Sequence, residues 1–218
     1  MSMSKRSRSR GRLKLKRFLL FPVPIKPKYI EHKLNHYQQR FNWDCGIACV
    51  MMLLPSEQRD YLRKHFTKIC YDEGFLQSTW TIDLCYLLKR LNYGSLHKDI
   101  STIIIACKRV ESRIYNAEEA GIFIKEKELS VEDLLSHVEC KGPAIVLVDS
   151  PLLICDLCKH NKMKAEFRYQ FYVLYKALFR DPALSTRLCA TSLARLHAAR
   201  QAPGTDFDVI LINKVFSR

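Results

Sequence analysis

One short stretch gathers the residue types that could do chemistry. Gln39-Arg40-Phe41-Asn42-Trp43-Asp44-Cys45-Gly46-Ile47-Ala48-Cys49 sets a cysteine beside a glycine, behind a glutamine, at the head of the apolar run Val50 to Leu54. The run can start a helix, whose first backbone amides and dipole favour a thiolate over a thiol. Gly46 has no Cβ and lets a substrate backbone come close. Gln39 is the right kind of side chain to donate to a developing oxyanion. The chemistry implied is acyl transfer: Cys45 attacks a peptide or isopeptide carbonyl and forms a thioester once a base has taken the thiol proton. The competing reading is a buried cysteine that merely begins a core helix.

Other candidates are sparser. Cys155 and Cys158 have the spacing of half a structural zinc site, which needs four ligands. His160 follows too closely to complete it, although Cys140 or Cys189 could approach in space. The alternative is a pair of surface thiols open to reversible oxidation. Asp83, Asp149 and Asp156 are the carboxylates that could hold a metal beside a triphosphate, and their spacing does not demand one. No G-x-x-x-x-G-K-[ST] phosphate loop is present, and glycine is scarce.

Several separated blocks carry a resemblance: Trp43-Asp44-Cys45-Gly46 with Ala48-Cys49, Ser78-Thr79-Trp80-Thr81-Ile82-Asp83-Leu84, Ala144 to Ser150, and Cys155-Asp156-Leu157-Cys158. Arg180-Asp181-Pro182-Ala183 and Gly204-Thr205-Asp206-Phe207-Asp208-Val209-Ile210-Leu211 follow in order. Together they resemble the guanylyl cyclase domain-containing protein family, whose members are similar in architecture to C39-type, papain-like peptidases. The resemblance spans Pro22 to Asn213. It implies an α+β, papain-like cysteine-hydrolase-type domain with N-terminal helices packed on a small antiparallel sheet. It further implies Cys45 as nucleophile, Gln39 as oxyanion donor and Asp181 as the residue that orients a histidine. The family name implies a different activity, cyclic GMP formation from GTP with Mg as cofactor; on the hydrolase reading no cofactor is expected.

The chain departs from that family at one place. The family carries a Gly-His-hydrophobic strand after the Cys-x-x-Cys pair, whereas this chain reads Phe167-Arg168-Tyr169-Gln170-Phe171-Tyr172-Val173-Leu174-Tyr175. Gln170 falls where the histidine belongs, or the strand is missing and the segment around 167–181 is shortened. A shortened isoform, a faulty gene model and a natural loss would all leave this pattern. Glutamine cannot take a proton from a thiol, so the general base is absent from its expected place. The expectation is a catalytically impaired pseudoenzyme that acts in interaction or regulation with a protein or peptide partner. An active cysteine hydrolase using Cys45 and a guanylate cyclase are the alternatives.

The elements that must position these residues belong to one domain of 22–218 behind a basic arm of 1–21. Ten basic residues precede the first acid, Glu31, so the net charge of +14 falls to +4 for the rest of the chain. The arm alternates Ser with Arg and then Lys with Leu, a composition expected to be disordered. It reads as an incidental solvated extension, as a transit peptide, or as a nuclear, RNA-contacting tail that would bind phosphates without sequence preference. No apolar run approaches the ~20 residues that cross a bilayer. An odd count of nine cysteines without a secretion signal points to reduced thiols in the cytoplasm or nucleus.

Apolar spacing predicts helices over Cys45–Leu54, stopped by Pro55, and over Glu57–Cys70, capped by Ser56. Further helices are expected over Ile82–Leu91 with Thr81 as cap, over Ser112–Ile124, and over Val131–His137 with Ser130 as cap. Ile103–Cys107 is ambiguous between strand and helix. Ala144–Val148, Phe171–Tyr175 and Val209–Ile212 read as strands. Helices first and strands later suit an α+β domain.

Overall fold

The computed structural model describes residues 34–75, 78–93, 108–125, 128–156, 169–175, 178–184 and 188–213. The basic arm, Ile103–Cys107, Cys158 and His160 lie outside them, and so do the expectations attached to those residues. Among the described residues the chain is α+β. The helices are α1 (Cys45–Leu53), α2 (Ser56–Lys64), α3 (Phe66–Glu73), α4 (Thr81–Arg90), α5 (Lys108–Tyr115), α6 (Val131–Cys140) and α7 (Leu193–Gln201). The strands β1 (Ala144–Asp149), β2 (Tyr169–Tyr175), β3 (Leu178–Arg180), β4 (Leu188–Ala190) and β5 (Val209–Leu211) form one antiparallel sheet in the order β4-β3-β2-β1-β5.

Two core clusters lie on opposite faces of this sheet. Ile145 of β1 packs with the buried residues of α1, α3 and α4, and Leu147 leans on the same cluster. Ala144, Val146 and Val148 pack instead with Leu134 and Val138 of α6 and Leu196 and Ala199 of α7. The side chains of β1 alternate between the two layers because successive Cβ atoms point to opposite faces. Every residue of α1 is buried, as expected for a helix that is apolar all round and serves as core.

The structure corrects three helix expectations. The helix expected over Glu57–Cys70 is divided at His65, whose backbone at φ −109° and ψ 19° leaves the helical region. Its second half runs on to Glu73 and ends on Gly74 at φ +73°, with Phe75 N donating to Cys70 O and Gly74 N to Tyr71 O. That is the left-handed terminus glycine favours. Ser56 is the first helical residue and not a cap. The helix expected over Ser112–Ile124 is α5, which starts earlier and stops at Tyr115 because the chain turns toward Gly121 at φ +67°.

The third correction bears on function. Thr81 is the first residue of α4 and not its cap; its hydroxyl crosses the fold and donates to Asp208. The start of α4 is held by Asp83, whose Oδ2 accepts from Trp80 N at 3.0 Å. Asp83 is fully buried and also binds Arg109 at 2.9 Å and Arg113 at 2.6 Å. This carboxylate therefore ties α4 to α5 and is not available to a metal.

Candidate functional site

Cys45 opens α1, and Asp44 shapes the turn before it. The Asp44 carboxylate points back along the chain and accepts from Arg40 N at 3.1 Å and Phe41 N at 3.0 Å. It makes no side-chain cap to α1, so the first amides of the helix are not taken up by Asp44. Burial raises the pKa of Asp44, and the two backbone donors pull the other way. Phe41 stacks on Trp43 with centroids 5.6 Å apart, and both approach Phe66 at 6.3 Å. This aromatic cluster anchors the loop that delivers the cysteine. Cys49, one turn further on, is fully buried; burial, then Cys45 and Asp181, hold its thiol well above the ordinary range. It cannot substitute as the nucleophile.

Cys45 lines a cleft of about 340 Å³ together with Trp43, Trp80, Thr81, Leu147, Asp206 and Asp208. Trp43 thus both anchors the loop and walls the cleft. Trp80 and Thr81 both face this space. The two aspartates come from the turn before β5. Gly204, Asp206 and Phe207 all have positive φ, at +89°, +50° and +56°. For residues other than glycine this backbone costs about 1–3 kcal/mol each and survives only where the surroundings enforce it. Buried Thr205 provides that enforcement: its single hydroxyl proton is shared between Arg200 O and Ala202 O, the latter at 2.9 Å. Asp208 then joins the sheet, its carbonyl accepting from Leu147 N at 3.0 Å.

Asp208 is the perturbed titrating group of the cleft. It is 8% exposed, Oδ2 accepts from Thr81, and the buried Oδ1 has no hydrogen-bond partner among the described residues. Its pKa rises from 3.8 to about 7, chiefly through burial, with the Thr81 bond opposing and Asp206 adding to the rise. The folded chain therefore keeps this proton from about pH 4 to about pH 7 while the unfolded chain has released it, so stability falls as pH rises through that window and levels off above it. Asp208→Asn removes the penalty. At about pH 8 the variant is expected to unfold ~5 °C or more above the unaltered chain, with the gap closing toward pH 4. Thermal melts across the window check this; parallel curves would mean that Asp208 titrates normally.

The other expected site residues are placed as follows. Gln39 N donates to Pro182 O at 2.8 Å, which puts the glutamine beside the Asp181 turn. Its side-chain Nε2 donates to Phe41 O at 3.0 Å, within its own loop. Asp181 is buried; its Oδ1 accepts from Ala183 N at 2.8 Å, closing a turn. Position 170 pairs with Val148 and position 171 with Leu147, so 171 is the register opposite the cleft-lining residue. His36 is the histidine beside Asp181. Its Nε2 lies 2.5 Å from Leu184 O, and burial lowers its pKa against the opposing pull of that bond. It does not line the cleft. Of the zinc candidates, Cys155 is buried, and no three potential metal ligands converge among the described residues. Asp156 pairs with Arg195 on the surface. Asp206 and Asp208 stand in a block that carries the family resemblance but were not expected in the site; two acids alternating just before a strand were the available signal.

Comparison with known proteins gives a family and, among the relatives, a plant protein. The family profile described as guanylylate cyclase matches residues 34–106 and 100–212. A curated protein of Arabidopsis thaliana, Guanylyl cyclase 1, is 29% identical over 210 residues, covering 82% of this chain and 74% of its own length. No solved structure matches. No described helix is long and apolar enough to cross a membrane.

Proposed function

The chain belongs to the guanylylate cyclase family, and from that premise we propose that it is a catalytically impaired, cysteine-hydrolase-like domain on a papain-like scaffold, binding a peptide partner over Cys45 in an interaction or regulatory role. One observation carries this reading: Cys45 at a helix start lines a cleft walled by Trp43 and Trp80, and among the described residues no histidine lines that cleft. Acyl transfer needs a base to take the thiol proton and an acid to return one to the leaving group. Gln39 adds support, since its amide would have to leave Phe41 O before it could serve an oxyanion.

The family name also implies GTP and a divalent cation, and the cleft does not fit them. Among the described residues its lining includes no lysine or arginine to meet a triphosphate. Its carboxylates are only two, and Asp208 holds its proton to about pH 7 while already accepting from Thr81. A protonated carboxyl is a poor ligand for a hard cation. The test uses the full chain. Alkylation of Cys45 by iodoacetamide at neutral pH is expected to run no faster than that of a free peptide cysteine, and incubation with GTP and Mg is expected to leave no cyclic GMP. Rapid labelling of Cys45 by a peptidyl chloromethyl ketone, lost in Cys45→Ala, would restore the hydrolase; cyclic GMP lost in Asp206→Asn would restore the cyclase.

A further inference from the structure

We propose that the cleft over Cys45 selects a cationic side chain, a lysine or arginine of the peptide partner, received by Asp206 and Asp208 beside the indoles of Trp43 and Trp80. This rests on the reading of that cleft as a peptide-binding surface and adds what it recognises. Among the described residues, the charged ones that line it are both aspartates. Asp208 lines the cleft, is more than nine-tenths buried, and keeps one enclosed carboxyl oxygen that no donor in the described fold satisfies. Such an oxygen is costly to leave without a donor, and ammonium and guanidinium groups are donors only. Tryptophan is also the best aromatic neighbour for a cation. The chain carries +14 overall, but at physiological salt charges beyond about 8 Å are screened, so the carboxylates in the cleft decide.

The groups that bear on Asp208 come from two places: Thr81 at the start of α4 and Asp206 in its own turn. Because the Asp208 pKa is about 7, its charge, and with it the hold on a cation, grows as pH rises through neutrality.

The experiment measures binding of a fluorescein-labelled heptapeptide, acetylated and amidated at its ends, with one central lysine, against the same peptide carrying norleucine. Protection of Cys45 from iodoacetamide is followed in parallel. At about pH 8 and ~0.15 M salt the full chain is expected to bind the lysine peptide about tenfold more tightly than the norleucine one. The preference should shrink toward about pH 6, as Asp208 regains its proton. Asp208→Asn should lose about fivefold or more and the pH dependence with it. Asp206→Asn should lose affinity while keeping its fold, since asparagine tolerates the left-handed backbone there. If both peptides bind equally and both protect Cys45, the cation preference is overturned while the cleft remains a peptide site. If neither peptide binds, the peptide-site reading fails and takes this proposal with it. Lysine-peptide binding that leaves Cys45 unprotected and is indifferent to both variants places recognition elsewhere and also overturns it.

Discussion

A histidine at the start of β2 is expected to raise the reactivity of Cys45 by about 10²–10⁴-fold, the usual contribution of a positioned general base. The sheet register says where to put it. Position 171 lies opposite Leu147, which lines the cleft with Cys45, whereas position 170 lies opposite Val148, which belongs to the other core layer. Phe171→His is therefore the variant expected to act, and Gln170→His the one expected to stay near the unaltered chain, although sequence comparison alone points to Gln170. Asp181, at the end of β3, is close enough to Cys49 to raise its pKa. It is thus at hand to orient an imidazole. Rates of labelling by a peptidyl chloromethyl ketone decide the matter, with Cys45→Ala as the zero point and thermal melts to confirm folding. An unaltered chain that labels as fast as Phe171→His already has a base, and the impaired reading is then wrong.

Asp83→Ala is expected to cost about 3 kcal/mol and to lower the unfolding midpoint by roughly 6–12 °C. Its carboxylate is fully buried and meets Arg109, Arg113 and Trp80 N at once. Removing it leaves two guanidinium groups without their shared partner; Arg113 is 15% exposed and Arg109 30%, so water recovers part of the loss and the lower end of the usual range applies. Asp60, whose pair with Arg63 is 65% and 58% exposed, is the contrast: Asp60→Ala should hardly move the midpoint. Since Asp83 also fixes the first turn of α4, its loss should disturb Trp80 and Thr81 in the cleft and free the Thr81 hydroxyl from Asp208. A melt unchanged by Asp83→Ala would show that the cluster is solvated and carries little.

The sequence by itself determined the local features. The helix start at Cys45, the stop before Pro55, the cap at Ser130 and the strands β1, β2 and β5 follow from apolar spacing and from residues that act on near neighbours. Ser130 illustrates the reach involved: its hydroxyl meets Asp133 N, three residues away, at 3.0 Å. The family, too, was legible, because blocks of motif survive in order along the chain. Short strands such as β3 and β4, each three residues long, were not legible; they have too few residues for a period and exist because a neighbouring strand pairs with them. Above all, the tertiary structure decided the cleft. Thr81 looked like a cap because serine and threonine before an apolar run usually are, yet Asp83 took that task and the Thr81 hydroxyl reached Asp208 instead. That bond joins residues 127 positions apart. Nothing local encodes it: the pairing of β1 with β5 carries Asp208 beside Leu147, and burial there, which only the packed layers create, turns an ordinary aspartate into the titrating group of the site.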